Sequence, residues 1–166
     1  MGLGAFSLAL GRASDPCGIE TTNLSTLFFP VGFPERSLPD DRVPGLDLAA
    51  LDRGRASLAD LHSQHAGITP QSGESQLAYE ELDWVLQLMD RACDLGAARL
   101  GTPPGSPLSA VPPETGAPIA ERLRALGERH ADLWLVRSRP GGLEDSVGRL
   151  HSTAHSLHPL TPPSQP

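Results

Sequence analysis

The chain has 166 residues, enough for one domain, and its formal net charge of −7 excludes a nucleic-acid-binding surface of the usual basic kind. With 39% hydrophobic residues but only four Phe, two Trp and one Tyr, any core must be built from Leu and Ala, which suits helices better than strands. No apolar run is long enough to cross a bilayer, and the short run Leu3 to Leu10 follows no basic residue, so neither a membrane span nor a secretory signal is expected and the chain reads as a cytoplasmic protein.

In chain order, Met1 to Leu10 predicts a short helix closed by Gly11, and Asp15 to Asn23 reads as a loop. Asn23 or Ser25 could cap a short turn carrying Leu27, Phe28 and Phe29. Phe28, Phe29 and Phe33 lie within six residues, a hydrophobic plug or an interface. Pro34, Pro39 and Pro44 then suggest an extended linker up to residue 45. A second helix is expected from Leu46 or Asp47 to His65, with Leu51, Leu58, Leu61 and His65 on one face. A third and stronger one runs from Ser75 to Leu100, stopped by Gly101 and Pro103; Leu77, Glu81, Val85, Leu88, Ala92 and Leu95 mark its face.

From 101 to 118 the Pro-rich composition predicts a long mobile loop. Beyond it, Ile119, Leu123, Leu126, His130, Leu133 and Arg137 recur at helical spacing, and Leu143, Val147 and Leu150 resume that period. Between these helices Pro140 cannot continue a helix, and Gly141 and Gly142 can take the positive φ of a sharp reversal. The fold expected is all-α: a small antiparallel bundle of four to five helices over 46–153, with a disordered tail at 154–166.

The turn supplies the site candidates: Trp134, Arg137, Arg139, Pro140, Gly141, Gly142, Leu143 and Ser146. Trp134 is expected to be buried at the seam, facing Leu143 and Val147. Arg137 and Arg139 either bond the last helix carbonyls or grip a carboxylate on a partner domain, and both readings stand. Ser138 and Ser146 lie in no Gly-x-Ser-x-Gly elbow, and Ser146 reads as support for the turn. His62 with His65, and His151, His155 and His158, have helical ligand spacing, but no carboxylate or cysteine completes either set, so no metal is expected. Glu144 and Asp145 suit the positive end of a helix, and Trp84 and Trp134 suit packing better than sugar stacking. Cys93 reads as a small buried hydrophobe.

Leu133 to Ser146 (Leu-Trp-Leu-Val-Arg-Ser-Arg-Pro-Gly-Gly-Leu-Glu-Asp-Ser) resembles a segment near the C-terminal end of bacterial glycoside hydrolases of family 20, the β-N-acetylhexosaminidase-like enzymes. Leu88 to Gly101 resembles the preceding helix of that region, and Asp15 to Asn23 with Leu27 to Pro30 is similar to the segment after the catalytic barrel. The resemblance spans roughly Gly11 to His151 and implies retaining, substrate-assisted hydrolysis. There an Asp orients the sugar's 2-acetamido nucleophile and an adjacent Glu is general acid and base, on a (β/α)₈ barrel. This chain contains no Asp-Glu dipeptide and no alternating strand–helix pattern. The resemblance therefore implies a non-catalytic accessory domain or fragment that packs on a catalytic barrel, with no catalytic residue and no cofactor. The alternative is a freestanding helical module that self-associates through Phe28, Phe29 and Phe33.

Overall fold

The axis of the molecule is α4 (Gly73–Leu100), a helix of 28 residues. It starts on a reciprocal cap: Ser72 Oγ accepts from the Ser75 N–H at 3.2 Å, and Ser75 Oγ accepts from the Ser72 N–H at 2.8 Å. Serine here does what Glu or Gln does in the usual capping box. The computed structural model describes residues 2–22, 25–38 and 40–159, so Asn23, Pro39 and the tail from residue 160 lie outside it. The fold is all-α, with no strand among the described residues. Around α4 lie α1 (Leu3–Gly11), α2 (Phe29–Gly32), α3 (Leu48–Ala66), α5 (Pro113–Arg137) and α6 (Leu143–Leu157). The expected four to five helices become six once the single turn of α2 is counted.

Two cores flank α4. On one side Leu86 and Cys93 join Phe6, Leu10, Leu27, Phe29, Val43, Leu51 and Leu58. On the other, Leu88, Ala92 and Leu95 join Ile119, Leu123 and Leu126 of α5 and Leu150, Ala154 and Leu157 of α6. A helix that buries two faces needs apolar residues on both, which explains the broad stripe that Leu82, Trp84 and Met89 add. α3 is capped by Asp47, whose Oδ1 accepts from the Ala50 N–H at 2.7 Å, and it runs antiparallel to α4.

The stretch that Pro34 and Pro44 mark is not an extended linker. Leu38 and Val43 are buried, and α4 holds the backbone beside them through Arg99, whose guanidinium donates to the carbonyls of Pro30, Phe33 and Arg36. Pro34 and Pro44 restrict the backbone of a segment whose side chains Leu38 and Val43 still reach the core. Within it the Arg36 guanidinium, hydrogen-bonded to Asp40 at 2.8 Å, pulls that carboxyl down to about 2. Ser25 caps nothing with its side chain, but its carbonyl accepts from the Phe28 and Phe29 amides.

Two boundaries move. The Pro-rich loop ends at Pro112, and α5 begins five residues before the expected end of that loop, at Pro113. Pro at the first helical position loses only an N–H that would have been unbonded anyway, so composition was a poor guide there. Pro118 does lie inside the helix, where Gly116, Ile119 and Ala120 are buried. Within the loop a 3₁₀ turn at Leu108–Ala110 buries Leu108, and Val111 follows it into the core. At the other end α6 continues through the expected start of the tail to Leu157, because Ala154 and Leu157 are buried against α5 and its neighbours.

Candidate functional site at the seam of three helices

The turn between α5 and α6 is closed from both ends. The Trp134 indole N–H donates to the Arg139 carbonyl at 2.8 Å, and the Leu143 amide donates to the Pro140 carbonyl at 3.1 Å. Of the glycine pair only Gly142 is left-handed, with φ of +81°, and its carbonyl accepts the Ser146 amide at 3.2 Å. Gly142→Val forces a β-branched residue into that region, so the melting temperature should drop by the equivalent of about 1–2 kcal/mol. An unchanged thermal melt would show that the turn re-forms with another backbone.

Trp134 is half-buried, not enclosed as expected. Its ring meets His130 edge-on at 5.6 Å, while Val147 sits over Gly127, where only a hydrogen separates the two helices. Arg137 Nε donates to Glu81 Oε1 on α4 at 2.7 Å, so the carboxylate it grips belongs to this chain. The Arg139 side chain is exposed and makes no hydrogen bond among the described residues. Gly141, Glu144 and Asp145 are exposed, and Leu143 is half-buried.

His130 joins all three helices. Its Nε2 lies 2.8 Å from Ser146 Oγ on α6, and its ring stacks on Trp84 of α4 with centroids 4.6 Å apart. Trp84 in turn donates its indole N–H to the Leu126 carbonyl of α5 at 2.8 Å. Burial between these rings pushes the His130 pKa below its ordinary value. The sequence placed His130 on the inner face of its helix but not at a junction. Its partners lie 46 residues before it and 16 after it, and no local spacing signals that.

Beside Trp84 a groove of about 350 Å³ runs between α4 and α5. Tyr79, Glu80, Asp83, Gln87 and Arg91 line it from α4, and Arg122, Ala125 and Arg129 from α5. The helices are antiparallel, so Arg129 pairs with Glu80 at one end while Arg122 approaches Asp94 at the other, 3.9 Å away. These residues were missed in the sequence because the groove exists only in this register.

The histidine sets do not converge. His62 bonds Asp90 at 2.7 Å, His65 is buried and bonds the Tyr79 carbonyl at 3.1 Å, and His151 lies over Gly127. Cys17 and Cys93 are buried free thiols, and burial pushes Cys93 up to about 12. Of the three clustered phenylalanines, Phe29 is fully buried, Phe33 is half-buried and stacks on it at 5.2 Å, and Phe28 is 37% exposed. The large aliphatic side chains left in water near the turn are Leu135, 52% exposed, and Val136, 67% exposed. No helix among the described residues is long and apolar enough to cross a membrane.

No protein-family model, curated protein or solved structure matches the chain.

Proposed function

We propose that this chain is a cytoplasmic helical accessory region of a β-N-acetylhexosaminidase-like glycoside hydrolase, and that it docks on a catalytic barrel without carrying chemistry of its own. The observation that supports this is the pair Leu135 and Val136. They lie in the segment whose sequence resembles the C-terminal region of those enzymes. Around the turn Trp134 is bonded to the Arg139 carbonyl, Arg137 to Glu81 and Ser146 to His130. Leu135 and Val136 instead face water on the last turns of α5. Burying a side chain of this kind contributes about 1.5–3 kcal/mol, so the pair can anchor a partner. Self-association through the phenylalanines lacks a comparable surface, because Phe29 is occupied in the core.

Titrating the chain against a family-20 barrel that lacks its own C-terminal helical region tests the docking. Saturable binding is expected, weakened at least about tenfold by Leu135→Asp with Val136→Asp, at an unchanged melting temperature. The chain alone should not turn over aryl N-acetyl-β-glucosaminides. Absence of a complex, or equal binding by the double variant, would overturn the proposal.

A further inference from the structure

We propose that the groove between α4 and α5 is a binding site for a small organic monoanion with a planar apolar body, its carboxylate held by Arg122 and Arg91. This rests on the groove alone and is independent of any glycosidase partner.

The charge arrangement carries the inference. Three carboxylates in or beside the groove are already engaged by the chain's own donors. Glu80 accepts from Arg129 and from Gln76, and Asp83 accepts from Gln87. Asp94 Oδ2 lies 3.0 Å from Arg91. The unspent capacity is on the donor side. Arg122 makes no hydrogen bond among the described residues; the carboxylate within ion-pair distance of it is that same Asp94 oxygen, at 3.9 Å, beyond hydrogen-bonding reach. Asp94 is shared further, since Arg55 on α3 lies 3.6 Å from its other oxygen. One carboxylate thus faces three guanidiniums, and Arg55 also pairs with Asp52 while Arg91 lies 3.9 Å from Asp90.

A guanidinium offers five donors in a plane that matches a carboxylate edge. Arg122 and Arg91 come from facing helices and converge on one oxygen of Asp94, so a bound carboxylate would take the open fork of Arg122 and share Arg91 with Asp94. The anion should be singly charged. Glu80 and Asp83 line the same groove and would repel a phosphate dianion. The walls set the rest of the ligand. Ala125, Leu126 and the Trp84 indole give the groove its apolar lining. From Glu80 to Arg91 the helix rises roughly 16 Å, long enough for a bicyclic aromatic acid lying along it. A volume near 350 Å³ is in the small-ligand range.

The test is isothermal titration calorimetry with 2-naphthoate at low ionic strength. One saturable site is expected. The uncharged 2-naphthamide, of the same shape, should bind at least about tenfold more weakly, and Arg122→Gln should weaken naphthoate by about tenfold. The Arg122 side chain is 61% exposed, so that variant should melt as the wild type does. Ala125→Leu, at an exposed position, fills the groove without touching a charge and should abolish binding. No saturable heat with naphthoate, equal affinity for acid and amide, or wild-type affinity in Arg122→Gln would overturn the proposal.

Discussion

Replacing Arg99 by methionine should destabilise the fold by about 3–5 kcal/mol, a large share of the roughly 5–15 kcal/mol available to a small domain. The residue is buried on α4, and its guanidinium donates to the Pro30 carbonyl at 3.0 Å, to Phe33 at 3.5 Å and to Arg36. Burial lowers its pKa, opposed by the charges of Glu35 and Asp40, yet a guanidinium stays protonated at any ordinary pH. Methionine keeps most of the packing and removes every donor. The three carbonyls then lose a charged partner, and those that stay buried bear the full cost of desolvation. The damage should be local at first. Amide exchange over residues 29–46 should speed up before the α5–α6 pair opens, because that segment loses its polar tie to α4 and keeps only its apolar contacts, Phe29, Val31, Leu38, Val43 and Leu46. Arg99→Lys, with a point charge in place of a fork, should recover only part of the loss. A melting temperature equal to wild type in Arg99→Met would mean that the segment is held by its apolar contacts alone.

The helices could be read in the sequence because each long one buries a periodic face and is bounded by a recognisable signal. Asp47 before α3, Gly67 after it and the Pro140-Gly-Gly turn all act locally, through residues within a few positions of the boundary. Composition misled where tertiary burial reversed its local meaning. The segment from Pro34 to Pro44 looked like a linker, yet Leu38 and Val43 enter the core and a guanidinium 63 residues away holds its backbone. Pro112 and Pro113 looked like loop, yet Pro at the first helical position is compatible with a helix that Ile119 and Leu123 then bury. The groove and the His130 junction were illegible for a different reason. Both depend on which turn of α4 faces which turn of α5, and that register is set by packing on two sides of α4 at once. Arg122 and Arg91 are ordinary surface arginines until Asp94 brings them to one point.

The same junction gives the protein a pH-dependent optical signal. The chain has two tryptophans, Trp84 and Trp134, and both rings touch His130. Protonating that imidazole places a cation on the Trp84 face and at the edge of Trp134, so the emission of the folded protein should change as His130 titrates. Burial lowers the His130 pKa from its ordinary value of 6.5, so the midpoint should fall below 6.5. The sign for stability follows. Between the unfolded pKa and the depressed folded one, the unfolded chain holds more protons, so stability rises with pH. The contribution of His130 is therefore complete above about pH 6.5 and is lost as the pH falls toward the folded pKa. His130→Gln can still bond Ser146 but cannot titrate; it should flatten the emission change and remove this part of the stability slope. His130→Ala also empties the space between the two indoles and strands the Ser146 hydroxyl, at a cost of about 2 kcal/mol. Fluorescence titrations and urea melts of the three proteins between pH 5 and 8 decide this. An emission change with a midpoint above 6.5, or one that persists in His130→Gln, would place the titrating group elsewhere and remove His130 as the junction of the three helices.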